Sequence, residues 1–302
     1  MTVGTDRWLC GWRLRTEIPL PELLPWTGDD REPDVVVRIG PVAEPLADVV
    51  HEGRRLSIGR DGTCRLAVPD VATFRVTGGQ QVVVAPDGDA EAPDVRLFLL
   101  GTVFGALCHQ RGVLPLHAGC VRIGADTVAF AGPSGVGKSS LAAALWRRGC
   151  PLISDDVCVV SWPAGGGPAV LPAFPRLRLW HDGADALGLD PATLPAVRAG
   201  TAKYTVPVAG EFAPDLTPLA AVYHLSPSHA PSSRATLEPA AALAWMRRSV
   251  YRRRIGERRQ QALLDDLARL AVAVPQRTLG RPATLADVGS LAEQLVAWHG
   301  GP

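Results

Sequence analysis

The sequence predicts an α/β protein with a β-rich N-terminal domain over residues 1–95. A second α/β domain spans residues 96–302, with a helical C-terminal region from about residue 238. Three observations predict this. The first 95 residues show short β-branched runs bounded by Gly, Asp and Pro. The middle of the chain alternates short apolar runs with a helical pattern around one glycine-rich loop. The last 65 or so residues carry apolar positions at helical spacing.

In the N-terminal part, Asp34–Ile39, Arg55–Ile58, Thr73–Val76 and Gln80–Val84 read as strands, with turns at Asp61-Gly62 and Gly78-Gly79. From Asp94 to Arg111 the apolar residues fall at helical spacing, with Asp94 placed as the cap. Strands follow at Leu116–Ile123 and Thr127–Ala131. Gly132–Ser139 is a loop and Ser140–Arg148 a helix. Further strands are expected at Pro151–Ser154, Val157–Trp162, Ala169–Leu171, Arg176–Trp180 and Ala220–Leu225. Asp185–Leu189 reads as a short helix and Ser226–Arg234 as a surface loop. Helices are expected at Pro239–Tyr251, Glu257–Ala273 and Thr284–Trp298, with an edge strand at Pro275–Leu279.

Composition bounds the function. The 302 residues are 47% hydrophobic and carry a net charge of +1, so no global charge directs the chain to nucleic acid or a membrane surface. Six cysteines form no CxxC pair, which argues against a zinc site. No apolar stretch is long enough to span a bilayer, and the first residues lack the pattern of a secretory signal, so a cytoplasmic protein is expected. Only Lys138 and Lys203 are lysines among 31 basic residues. A chain that uses Arg almost everywhere keeps Lys where a compact ammonium is needed, or by chance.

Gly132-Pro133-Ser134-Gly135-Val136-Gly137-Lys138-Ser139 matches G-x-x-x-x-G-K-[ST] at every fixed position, between an apolar strand and a helix. Glycines let backbone N–H groups converge on phosphate oxygens, and the helix adds its positive end. Lys138 is placed to reach the outer phosphates and Ser139 to bind Mg²⁺. Ser140 completes the expected nucleotide-binding set. Neither lysine lies in an N-K-x-D motif, which argues against a GTPase switch.

Asp155-Asp156 follows the strand after the loop helix, where a parallel sheet would set both carboxylates near the outer phosphate. One would help hold Mg²⁺ and the other accept a hydroxyl proton; the alternative is a solvated turn. His117, fifteen residues before Gly132, is either a core histidine or a partner of one carboxylate. Arg176 and Arg178 alternate with leucines and face one side of their strand, to clamp an acidic group or simply to face water. Lys203 lies in Gly200–Tyr204, read as a mobile loop that brings a charge to the transferring phosphate. Seven arginines lie within the thirteen residues 247–259, Arg252 and Arg253 among them. They form either a docking surface for an acidic peptide or a solvated helix junction.

His117, the loop, and the run Arg148-Gly-Cys-Pro-Leu-Ile-Ser-Asp-Asp156 together resemble the catalytic domain of bacterial HPr kinase/phosphorylase, over roughly 45 of 302 residues. The resemblance implies a fold related to phosphoenolpyruvate carboxykinase. It implies Asp156 as general base, Asp155 near the metal, and His117 interacting with the acidic pair. The cofactors implied are ATP and Mg²⁺. Ser140 stands where those kinases usually carry Glu, and their downstream glycine-rich signature has no match here. The layout is more similar to divergent HPr-kinase-like proteins found with peptide natural-product genes. That resemblance implies a hydroxyl kinase acting on serine of a peptide or protein, such as a lasso-type precursor peptide, and a homo-oligomer. Two alternatives stay open: a small-molecule kinase, for example of free serine, and a non-catalytic nucleotide-responsive module.

Overall fold

Two nine-stranded sheets organise the residues described by the computed structural model. Those residues are 4–43, 45–198, 200–208, 210, 212–227, 233–251, 257–281, 284 and 286–300, without the side chains of 257, 258 and 286. The chain divides into two units, one of Met1–Leu114 with Arg252–Leu264, the other of Pro115–Tyr251 with Asp265–Pro302. The division falls at residue 114 rather than 95 because the helical segment after residue 92 packs on the first sheet, and a later stretch returns to it.

The first unit contains β1 (Thr5–Leu9), β2 (Trp12–Thr16), β3 (Leu24–Pro25), β4 (Val35–Ile39), β5 (Val49–Glu52), β6 (Leu56–Gly59), β7 (Cys64–Val68), β8 (Ala72–Thr77) and β9 (Gln81–Pro86). Their order is β3-β1-β2-β4-β9-β8-β7-β6-β5. In β7 and β8 buried and half-exposed residues alternate, as a sheet with one covered face requires. The hairpin β1–β2 was not legible in the sequence. Its turn residues Cys10 and Gly11 have φ of +56° and +76°, where Asn-Gly is the usual signal. The predicted helix 94–111 is three pieces: α1 (Pro93–Phe98), a π-helical turn over Leu99–Val103, and α2 (Phe104–Gln110). Asp94 is not the cap. Ala92 holds that position, Pro93 follows at the first helical place, and Asp94 lies in the first turn.

The second sheet begins with β10 (Leu114–Leu116), β11 (Ala118–Ile123) and β12 (Asp126–Ala131), followed by α3 (Lys138–Trp146). Then come β13 (Leu152–Ser154), β14 (Cys158–Ser161), β15 (Ala169–Leu171), β16 (Arg176–Trp180), α4 (His181–Asp185), β17 (Lys203–Pro207) and β18 (Thr217–Ser226). The chain continues through β19 (Arg234–Thr236), α5 (Pro239–Ser249), α6 (Glu257–Ala273), β20 (Gln276–Gly280) and α7 (Ala286–Trp298). The sheet runs β10-β14-β15-β18-β12-β11-β13, with β20 beside the far end of β18 and β19 beside β20. β12, β18 and β20 are mutually parallel, whereas β11 is antiparallel to both β12 and β13. The sheet is therefore mixed. β20 is not an edge strand as expected, because β19, at the end of the stretch read as a surface loop and just before the first expected C-terminal helix, pairs with its other side. Val128, Phe130, Leu141, Leu145, Tyr223 and Leu291 belong to one buried apolar cluster that joins α3 and α7 to the sheet. Among the described residues no helix is long and apolar enough to cross a membrane.

Candidate active site

Register brings three distant segments to one end of the second sheet. β11 runs between β12 and β13 in the opposite direction, with Ala118 opposite Ala131 and Cys120 opposite Ser154. The start of β11 therefore lies beside the exits of β12 and β13. His117 precedes that start, the loop leaves β12, and Asp155-Asp156 leave β13. Although β12 and β13 are not adjacent, the antiparallel strand between them leaves both pointing the same way, so the loop and the acid pair leave the same end of the sheet.

The loop needs its glycines. A Cβ at Gly132 would lie 2.9 Å from the Leu225 carbonyl oxygen, and Gly132, Gly135 and Gly137 have φ of +151°, +80° and +100°. Gly137 is the N-cap of α3, so the helix starts at Lys138, two residues earlier than the sequence suggested. Lys138 folds back and donates from Nζ to the carbonyl oxygens of Gly132 and Pro133, each at 2.9 Å. It is 6% exposed. Burial lowers its pKa to about 8; Asp155 and Asp156 oppose that, and Lys203 adds to it.

Asp155 ties the acid pair to the loop. Its Oδ1 accepts from Ser139 Oγ at 2.8 Å, and its Oδ2 accepts from the backbone N–H of Arg178 at 2.8 Å. The carboxyl is buried, which raises its pKa; the Asp156 charge raises it further, against the lowering effect of both hydrogen bonds and of Lys203. Asp156 faces different surroundings. Its backbone has φ +74°, a left-handed conformation that Asp tolerates better than most residues. His117 Nδ1 lies 3.1 Å from both Oδ1 and the carbonyl oxygen of Asp156. Both are acceptors, so Nδ1 is the donor in these contacts. Arg178 Nη1 donates to Asp156 Oδ2 at 3.1 Å. Burial works to raise the Asp156 pKa. The His117 hydrogen bond and the charges of Arg178, His117 and Lys203 override it and hold the carboxyl well below the usual range.

A cleft of about 440 Å³ opens at this end of the sheet. His117, Ser134, Gly135, Gly137, Lys138, Ser139, Ser140, Asp156, Arg178 and Lys203 all contribute, as do Leu179, Trp180, Asp182, Gly183 and Arg281. Lys203 is not on a loop. It opens β17, paired with Trp180 across the β16–β17 hairpin, and its Nζ sits 5.9 Å from the Trp180 ring centroid. The two strand arginines part company. Arg178 holds the acid pair, whereas Arg176 is buried with its guanidinium 4.4 Å from the Phe174 ring and does not line the cleft. Neither faces open water, so the exposed-face alternative is withdrawn for both. Arg252 and Arg253 lie outside the described residues.

Sequence reasoning missed Arg281, Trp180 and Asp182. Arg281 was findable in principle, because it stands at the exit of a strand, but only once β20 is known to run parallel to β12 and β18. Trp180 and Asp182 carry no local signal beyond following Arg178.

The donor set suits a magnesium nucleotide. Ser139 Oγ and Asp155 Oδ1 are adjacent hard oxygen donors. Among the described residues no three His, Cys, Asp or Glu side chains form a metal cluster. Mg²⁺ asks for no such cage, since it takes one or two carboxylates and fills the rest with phosphate and water. Lys138, Arg178, Lys203 and Arg281 supply the charge that a polyphosphate requires.

No family model matches the chain, and no curated protein matches it. Among solved structures the chain is similar to the HPr(Ser) kinase/phosphatase from Coxiella burnetii. The identity is 14% and the TM-score 0.36, over 62% of this chain and 99% of that one. A likeness this distant leaves the functional reading to the geometry of the site itself.

Proposed function

We propose that the chain is an ATP-dependent phosphotransferase of the serine-kinase type, acting on a hydroxyl group. The observation that carries this is the 2.8 Å hydrogen bond from Ser139 to Asp155, which joins the glycine loop to an acid pair. Around it stand Lys138 and a second carboxylate oriented by His117 and Arg178.

Bound Mg-ATP would supply the transferable phosphoryl group and neutralise charge on its oxygens. The loop N–H groups and the start of α3 would hold the phosphates, with Lys138 at the outer ones. Ser139 and Asp155 would hold the metal. Asp156 stays ionised at neutral pH, because its pKa is depressed. A carboxylate this weakly basic orients the acceptor hydroxyl first. It takes the proton late, as the new O–P bond makes that proton acidic. His117 and Arg178 keep it in place.

The acceptor we favour is a serine of a peptide or protein, a lasso-type precursor peptide among them. Trp180, 54% exposed at the cleft, supports an acceptor larger than one amino acid. The test follows label from γ-labelled ATP with Mg²⁺ into serine-containing peptides and into free serine. Asp156→Asn should cut transfer by about a hundredfold or more while leaving affinity for a nonhydrolysable ATP analogue within a few-fold. Label in free serine alone would change the acceptor to a small molecule. Transfer to no hydroxyl, or undiminished transfer by Asp156→Asn, would remove the reading.

A further inference from the structure

Arg281 stands at the exit of β20, the third of the parallel strands β12, β18 and β20. Ligands of such sheets gather beyond the carboxyl ends of the strands. Its backbone N–H donates to the Ser226 carbonyl oxygen at 2.9 Å, on the exit of β18, so two strand ends fix its position. Its side chain lies over Gly137. A Cβ there would meet Arg281 Nε at 3.0 Å, and Cδ and Cζ at 3.4 Å. The guanidinium thus rests on the last glycine of the loop, at the N-cap of α3, and shares the cleft with Lys138 and Ser139.

This is an unfavourable place for a cation by itself. A helix N-terminus carries about half a positive charge, and Lys138 adds a full charge in the same turn. Among the described residues no carboxylate pairs with Arg281, and its Nε is buried without a hydrogen-bond partner. Arg178, 6% exposed and in the same cleft, also keeps a buried Nε without an acceptor. Two guanidinium donors without acceptors, beside a lysine and a helix N-terminus, fit an anion with several oxygens.

We propose that Arg281 binds the phosphate chain of the nucleotide at Gly137, so that a guanidinium from the third strand and the loop backbone hold the same polyphosphate. The identity of that anion as a nucleoside triphosphate rests on the phosphotransferase reading. Arg281 serves the nucleotide side of the reaction, because it touches the loop and not Asp156 or His117.

The test titrates inorganic triphosphate and a nonhydrolysable ATP analogue into wild type, Arg281→Gln and Arg281→Lys, and records melting without ligand. Unliganded Arg281→Gln should melt at or above wild type, since a repelled cation is gone. Its affinity for both probes should fall about tenfold or more. Arg281→Lys should recover only part of the loss, because the planar fork is missing. In turnover, KM for ATP should rise more than kcat falls. Wild-type affinity in Arg281→Gln for both probes would overturn the assignment and leave the phosphotransferase reading standing. Should that variant fold poorly, Arg281→Lys decides: wild-type affinity overturns the assignment, and a several-fold loss at an unchanged melting temperature upholds it. A loss of triphosphate binding in the variants, with no hydroxyl ever phosphorylated by wild type, would keep this inference and remove the kinase. Failure of wild type to bind either probe would remove both.

Discussion

The two sheets have the same number of strands and treat charge differently. Among the described residues, the first unit buries Thr16, Ser57, Thr63, Thr102 and His109, but no Lys, Arg, Asp or Glu. Its ion pairs stay partly in water, as where Asp6 meets Arg13 and Arg15. The second unit buries Lys138, Asp155, Arg176 and Arg178. Burying an ion costs several kcal/mol unless partners compensate, so these residues make the second unit less stable than its apolar packing would allow. Lys138 and Arg178 line one cleft, and Asp155 hydrogen-bonds Ser139 and the Arg178 backbone at its wall. On the proposed function, stability is given up where a site for a charged ligand is preorganised.

Lys138 gives the largest expected effect. Its pKa in the folded chain, about 8, is below the unfolded value of 10.5. The shift opposes folding by about 3 kcal/mol when the lysine is charged in both states. That penalty is full below pH 8 and disappears as pH rises toward 10.5, so the ligand-free protein should gain stability across that window. Lys138→Met should melt higher than wild type at pH 7 and lose the part of that pH dependence due to Lys138. Phosphoryl transfer should fall on the order of a thousandfold. Melting curves from pH 7 to 10 and a transfer assay check both halves; a Lys138→Met protein that melts lower would break the comparison.

Phe74, fully buried in β8, provides the counterpart in the first unit. Phe74→Ala should cost about 3–5 kcal/mol of stability, because it leaves a cavity in a well-packed apolar face. Affinity for an ATP analogue, measured on protein still folded, should not move. A matching loss of affinity would show that the first sheet shapes the site after all.

Lys203 should show a smaller effect. Lys203→Arg keeps the charge, but the longer planar fork replaces a compact ammonium beside Trp180. Transfer at saturating ATP should drop about tenfold, more than nucleotide affinity does. Near-wild-type rates in both Lys203→Arg and Lys203→Ala would mean that the scarcity of lysine reflects composition only.

The same contrast governs what the sequence disclosed. The glycine loop is legible because its chemistry is local: positive φ and close approach demand glycine at fixed spacing. Asp155-Asp156 and His117 are legible because each borders a short apolar strand next to that loop. Arg281 was not legible, since its place depends on β18 and β20 pairing in parallel across some fifty residues of intervening chain. Lys203 was misplaced onto a loop because Gly200 and Thr201 signal a turn, while the pairing of β17 with β16 is a tertiary fact. In the first unit, β1, β2 and β7 carry arginines and a cysteine where β-branched residues would have announced them, so register with neighbours, rather than propensity, defines them.

The central claim is that the loop and the acid pair form one magnesium–nucleotide site through Ser139 and Asp155. The most direct measurement is calorimetric titration of a nonhydrolysable ATP analogue, with and without Mg²⁺, into wild type and Asp155→Asn. The account predicts that Mg²⁺ strengthens binding to wild type about tenfold or more, and that Asp155→Asn loses most of this enhancement while still binding the analogue. Binding to wild type that ignores Mg²⁺, or an enhancement that survives intact in Asp155→Asn, would contradict it.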